Sequence, residues 1–161
     1  MKQKLIVGNW KMNGSMAANQ ALVQGVLAGL PGLAVQSAVC VPAVYLTSLQ
    51  TLLQGQTALA GGAQDVSMHE AGAYTGEISA AMLREFAVRY VIVGHSERRQ
   101  YHGEQDAQVA LKAQHALSAG ITPIVCVGET LDERQAGRTE EVVKRQLAAV
   151  IHVNGHCISE I

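Results

Sequence analysis

Polar side chains follow a short apolar run near the start of the chain, where a strand would end. Residues 4–14 read KLIVGNWKMNG, so Asn9 and Lys11 come just after the apolar residues. Residues i and i+2 of an extended segment point to the same side, which predicts that the Asn9 amide and the Lys11 ammonium project together into one pocket. An ammonium in a pocket suits a phosphate or a developing oxyanion. The alternative is that Lys11 lies in a surface loop.

A second group of polar residues follows the apolar run in YVIVGHSERR, residues 90–99. Tyr90–Val93 predicts a strand buried on both faces. Ser96 is predicted to cap a short helix that begins just beyond it. The start of a helix disfavours an imidazolium, which would leave His95 neutral and able to donate a hydrogen bond. The alternatives are a structural histidine at 95 and a solvated or salt-bridged helix residue at Glu97.

The elements that must hold these groups alternate regularly along the chain. Strands are predicted near residues 4–8, 36–41, 57–61, 90–93 and 121–127, and helices near 17–30, 43–53, 79–87, 106–119 and 139–150. Such alternation, at roughly 30 residues per unit, argues for parallel strands with right-handed crossovers. In the first helix, Ala18, Leu22, Val26 and Leu30 are predicted to lie on one face.

Two architectures fit this order, a doubly wound open sheet and a βα barrel. The chain carries neither a GxGxxG motif nor a Walker loop. Its chemistry-bearing residues stand after the first, fourth and fifth strands, the last of which leads into CVGETLDER at 126–134. Barrels build their sites from several strand ends on one face, so the pattern favours a barrel.

Composition excludes several functional classes. The net charge is −1, from 12 basic and 13 acidic residues, which provides neither a basic surface for nucleic acid nor a polybasic membrane anchor. Three cysteines without a CxxC motif favour free thiols and a cytoplasmic location. His152, His156 and Cys157 could suggest a metal, but Asn154 and Gly155 are expected to break the helix that such ligands need, so no metal is expected.

Four motifs carry a resemblance to a known family. They are GNWKMNG at 8–14, GAQDVSMHEAGAYTGEIS at 62–79, YVIVGHSERR at 90–99 and PIVCVGET at 123–130. In order and spacing the chain resembles the triosephosphate isomerases from residue 1 to about residue 150. The resemblance implies a (βα)8 TIM barrel, a homodimer, and a glycolytic and gluconeogenic enzyme. It would interconvert dihydroxyacetone phosphate and glyceraldehyde 3-phosphate through an enediolate, with no cofactor or metal.

The resemblance also implies roles for individual residues. Lys11 would hold the substrate and steady the enediolate, with support from Asn9, and His95 would be the neutral electrophile that polarises the carbonyl. Ser96 and Glu97 would lie directly behind these groups. Tyr74, Thr75 and Gly76 would form the tip of a loop, residues 65–79, that docks into a partner subunit.

One part of the family pattern is not matched within the 161 residues. The family's catalytic glutamate lies in an AYEPVWAIGTG-like segment after the sixth strand, and a complete barrel needs about 250 residues. Residues 1–161 are therefore expected to form a single, incomplete barrel domain of about five βα units, with a sixth strand begun at Cys157–Ile161. The alternative function is a catalytically inactive half-barrel that lacks the base and acts by association with other chains.

Overall fold

A computed structural model describes residues 4–161, whose five strands form one parallel sheet. The strands are β1 Lys4–Asn9, β2 Val35–Val41, β3 Leu59–Ala63, β4 Tyr90–Val93 and β5 Thr122–Val125. Their bounds agree closely with the predicted ones. All four residues of β4 are buried, as expected of a strand covered on both faces.

The strand order decides between the two architectures. Each strand pairs in parallel with the next one along the chain, in the order β1-β2-β3-β4-β5. A doubly wound sheet reverses direction at a switch point, whereas a barrel adds each strand on the same side. The prediction of an incomplete (βα)8 barrel is therefore confirmed for the described residues.

Helices connect the strands and cover the sheet. They are α1 Met16–Gly29, α2 Leu46–Leu52, α3 Ala80–Glu85, α4 Ser96–Tyr101, α5 Asp106–Ser118, α6 Leu131–Gln135 and α7 Thr139–Asn154, with 3-10 turns at Ala43–Tyr45 and Gly155–Glu160. The main core lies between strands and helices. Buried Val91 and Val93 of β4, for example, belong to one cluster with Val109 and Ala113 of α5.

Two sequence expectations are corrected, and one helix was not predicted. Cys157–Ile161 does not begin a sixth strand, because residues 155–160 continue α7 as a 3-10 turn. The short helix α6 was not predicted. In α1 the buried residues are Asn19 and Val23. Val26 and Leu30 of the predicted face pack against the core, whereas Leu22 is 51% exposed. The Asn19 Oδ1 accepts a hydrogen bond from the Ser15 backbone N–H, whereas its Nδ2 is buried without a hydrogen-bond partner among the described residues.

Candidate active site

The polar residues at the strand ends line one cavity of about 640 Å³. Asn9 is the last residue of β1, Lys11 follows it by two, and His95 follows β4 by two. The cavity is lined by Asn9, Lys11, Met12, Ala43, Gln64, Asp65, Val66, Ser67, Gly76, Glu77, Ile78, His95, Glu97, Arg98, Tyr101 and His102. The structure thus brings Asn9, Lys11, His95 and Glu97 together, although their sequence positions span almost 90 residues.

Lys11 and Glu97 form the shortest polar contact across this cavity. The Lys11 Nζ donates to Glu97 Oε1 at 2.7 Å, and both side chains are about half exposed. This hydrogen bond from Lys11 is the main reason why the pKa of Glu97 lies below its usual value. Glu97 is therefore a charged partner of Lys11 at neutral pH, and an anionic ligand would compete with it for the ammonium.

His95 lies at the start of a short helix, as predicted, but it takes the capping position itself. The helix cap is His95 itself, and α4 begins at Ser96. The prediction of Ser96 as the cap is wrong because the His95 Nδ1 accepts the Glu97 backbone N–H, at 3.2 Å, as a capping side chain does. While this bond is made, Nδ1 carries no proton and the ring proton is on Nε2. In this arrangement the Nε2–H is the remaining donor of the ring, and Glu97 Oε2 lies 3.5 Å from Nδ1.

The remaining predicted residues are placed differently. Ser96 lines a separate cavity, beside Arg99, Glu129 and Gln146. Of the predicted loop tip, Gly76 reaches the lining of the cavity that holds Lys11, whereas Tyr74 and Thr75 do not. Tyr74 is 44% exposed and stacks on His69, with ring centroids 3.7 Å apart.

Sequence reasoning missed a cluster of four charged residues at the edge of this cavity. Lys112 and Glu104 are nearly buried, with side chains 7% and 5% exposed, and the Lys112 Nζ lies 3.1 Å from Glu104 Oε2. Asp65 accepts from Lys112 at 2.8 Å, and Arg98 contacts both Asp65 and Glu104. A charged residue within the buried stripe of α5, between Val109 and Ala113, is the signal that could have identified Lys112.

The two carboxylates of this cluster respond oppositely to their surroundings. Burial raises the pKa of Asp65, and the neighbouring cations only partly oppose it. Burial acts in the same direction on Glu104, but Lys112 and Arg98 outweigh it and hold the pKa of that carboxyl below its ordinary value. The Glu104 Oε1 is buried without a hydrogen-bond partner among the described residues.

Every carboxylate that lines the cavity is already engaged. Glu97 pairs with Lys11, Asp65 with Lys112 and Arg98, and Glu77 Oε1 accepts from the Ser67 hydroxyl at 3.1 Å. Glu129 belongs to the other cavity and accepts from Arg134 at 2.6 Å. Each of these carboxylates is therefore hydrogen-bonded to another side chain in this structure.

Metal clusters and membrane-spanning helices are both absent from residues 4–161. That range contains no cluster of three or more His, Cys, Asp or Glu residues placed to hold a metal ion. Nor does it contain a helix with the length and apolar character needed to cross a membrane.

Comparison with known proteins relates this geometry to a family. The family model described as Triosephosphate isomerase matches residues 4–160. Over 161 residues the chain is 72% identical to the triosephosphate isomerase of Albidiferax ferrireducens, covering all of this chain and 65% of that protein. The enzymes of that name from Paracidovorax citrulli and Delftia acidovorans are 70% and 68% identical, covering 99% and 100% of this chain.

The chain spans 64–65% of the length of these three relatives. The family match covers nearly all of the described residues, and the strand order is that of the family's barrel. The chain belongs to the triosephosphate isomerase family.

Proposed function

We propose that this chain supplies the cation and the proton donor of a triosephosphate isomerase site, which interconverts dihydroxyacetone phosphate and glyceraldehyde 3-phosphate. The observation that carries the proposal is the convergence of Lys11, Asn9 and His95 on one cavity at the strand ends. The names of the relatives support the substrate class.

The proposed chemistry moves a proton between neighbouring carbons through an enediolate. The Lys11 ammonium attracts the anionic substrate and stabilises the charge that develops on oxygen, replacing its contact with Glu97. The His95 Nε2–H donates to the carbonyl oxygen, since Nδ1 is occupied by the Glu97 N–H. Asn9 supports Lys11 through a hydrogen bond from the Lys11 backbone N–H at 2.9 Å.

The base of this reaction is proposed to come from outside the 161 residues. A base must lie within hydrogen-bond reach of a carbon-bound proton. Asp65 and Glu77 stay hydrogen-bonded to other side chains, and the glutamate that the family resemblance assigns to this step lies in a segment that the 161 residues do not match. The 161-residue chain alone is therefore expected to bind a phosphate group without turning over substrate.

We also propose a homodimer and a cytoplasmic location. Residues 65–79 are folded back on themselves, with the Ser67 N–H donating to Ile78 O at 2.8 Å, and they present Tyr74 to solvent. A closed loop with an exposed aromatic side chain fits the docking role that the family resemblance implies.

A coupled assay on the rigorously purified 161-residue chain tests the catalytic proposal. We expect no isomerase turnover above background from the chain alone. We expect turnover when it is refolded with the part of the Albidiferax ferrireducens enzyme that the match leaves uncovered. His95→Gln in the 161-residue partner should abolish that turnover. Turnover by the chain alone that is lost in His95→Gln would contradict the assignment of the base.

A further inference from the structure

The backbone of Lys11 has an unusual conformation. Its φ is +53°, in the left-handed region, and the only other non-glycine residue with positive φ among residues 4–161 is Ala87. This region is sparsely populated by residues with a side chain, and such a conformation persists only where the surroundings determine it. The hydrogen bonds of the Lys11 backbone N–H and carbonyl therefore show which residues hold this conformation, and the conformation in turn directs the side chain.

The carbonyl of Lys11 is held by a side chain from another strand end. Gln64, which directly follows β3, donates from Nε2 to Lys11 O at 2.9 Å and to Cys40 O at 3.0 Å. An amide nitrogen has two hydrogens, so both are used. Cys40 lies within β2, where its carbonyl also accepts the Trp10 backbone N–H at 3.0 Å. One bond thus anchors the Gln64 amide to the sheet while the other bond holds Lys11.

The N–H of Lys11 is held from the opposite side by Asn9 Oδ1. The donor and the acceptor of the left-handed residue are therefore both satisfied by side chains, one from β1 and one from the end of β3. Gln64 is half-buried and is 53 residues away from Lys11 in sequence. Its contact to Lys11 is to the backbone, so it can act on the ammonium only by directing the chain.

We propose that Gln64 is a positioning residue for Lys11: its amide holds the carbonyl of the left-handed Lys11 residue against the end of β2 and so determines where the ammonium stands. Without this bond the segment around Lys11 relaxes toward a negative φ and the ammonium leaves its place beside Glu97. The expected loss of phosphate binding rests on the proposed role of Lys11 in binding the substrate phosphate. The positioning of Lys11 by Gln64 does not depend on that role.

The test uses the labelled 161-residue chain and two measurements by NMR. Inorganic phosphate is titrated into the chain, and the side-chain carboxyl of Glu97 is followed as a function of pH. Gln64→Met removes both donors at similar size. We expect it to weaken phosphate binding by at least about fivefold, the smallest factor that corresponds to the strain of one left-handed residue. We expect the pKa of Glu97 to rise toward its ordinary value, as it should in Lys11→Met.

The matched control is Gln50→Met. Gln50 also donates from Nε2 to a backbone carbonyl, that of Glu85 at 3.2 Å, but it does not line the cavity of Lys11. This variant should leave both measurements unchanged. If Gln64→Met does not fold, Gln64→Glu replaces it, because it retains the shape of Gln64 and presents a carboxylate to the two carbonyls.

Wild-type values of phosphate affinity and Glu97 titration in a folded Gln64 variant would overturn the proposal. The role of Lys11 in phosphate binding and the positioning of Lys11 by Gln64 can each be contradicted without the other. Phosphate affinity that is unchanged in Lys11→Met contradicts the role of Lys11, and the Glu97 titration then still decides whether Gln64 holds the lysine.

Discussion

At the residue scale, the charged cluster beside the cavity shows how two similar carboxylates acquire opposite effects on stability. Asp65 and Glu104 share the cations Lys112 and Arg98. Burial dominates at Asp65 and raises its pKa, whereas the cations dominate at Glu104 and lower its pKa. A raised carboxyl pKa means that ionisation is less favourable in the folded chain than in the unfolded chain, so Asp65 destabilises the fold once it is charged.

We predict that Asp65→Asn raises the free energy of unfolding at pH 7. The Asn oxygen can still accept from Lys112, and the cost of a buried charge is removed. As pH falls toward the ordinary Asp value of 3.8, wild-type Asp65 becomes protonated and the difference between the two chains should disappear. Urea denaturation at several pH values measures this difference.

Glu104→Gln provides a comparison of opposite sign. Because the pKa of Glu104 is lowered, its stabilising contribution is present at neutral pH and is lost as pH falls through its folded value. This variant should be less stable at pH 7 by about 1–3 kcal/mol, the typical loss when a buried bond to a charged group is removed. Equal effects of the same sign at both positions would contradict the assignment.

At the scale of the elements, close packing between neighbouring strands determines which residue types fit. Gly62 of β3 lies beside Cys40 of β2 and Tyr90 of β4. A Cβ at position 62 would stand 2.5 Å from Cys40 Sγ and 3.1 Å from Tyr90 O. The absence of a side chain at Gly62 therefore lets β2, β3 and β4 pack closely, two residues before Gln64.

We predict that Gly62→Ala lowers the free energy of unfolding by about 1–3 kcal/mol, the usual cost of overpacking. Adding Cys40→Ala removes the sulfur contact and should recover part of the loss, with a coupling of about 0.5–3 kcal/mol. Gly25→Ala is the control, because no atom lies within 4 Å of its added Cβ. Within α1 that change should stabilise by about 0.5–1 kcal/mol. Additive effects of the Cys40 and Gly62 changes, measured by urea denaturation, would show that the sulfur contact is not the cause.

At the scale of the whole molecule, β1 and β5 are the outer strands of the described sheet. β1 is the more exposed of the two, with Leu5 39% and Ile6 59% accessible. An outer strand presents unpaired backbone groups, and apolar side chains beside them favour pairing with another chain.

We predict that the 161-residue chain associates with itself in a concentration-dependent manner. Ile6→Lys should weaken that association at least about tenfold, since a buried unpaired charge is unfavourable and each 1.4 kcal/mol is a factor of ten. Leu33→Lys is the control, because Leu33 is 60% exposed but lies in a turn outside the strands. Sedimentation velocity over a range of concentrations measures the association of the wild-type chain and of the two variants. A wild-type monomer at every concentration would contradict the prediction, and association that persists unchanged in Ile6→Lys would point to loop 65–79 instead.

The sequence by itself determined the order of the elements and the place of the chemistry. Apolar runs and helical spacing are local properties. Among residues 4–161 they predicted the five strands and five of the seven helices within a few residues, and the charged segment after β4 predicted the short helix α4. Because parallel strands end on the same face, the positions of Asn9, Lys11 and His95 after their strands also predicted that they would meet.

Only the tertiary structure decided which groups contact each other. Lys11 and Glu97 are 86 residues apart, and the bonds of Gln64 reach across two neighbouring strand ends. Local spacing also grouped Leu22 with Val26 and Leu30 on one face of α1, although Leu22 is exposed, because the orientation of a helix is set by what it packs against. Partners, burial and pKa depend on residues that are distant in sequence and close in space, and these relations arise only when the strands assemble.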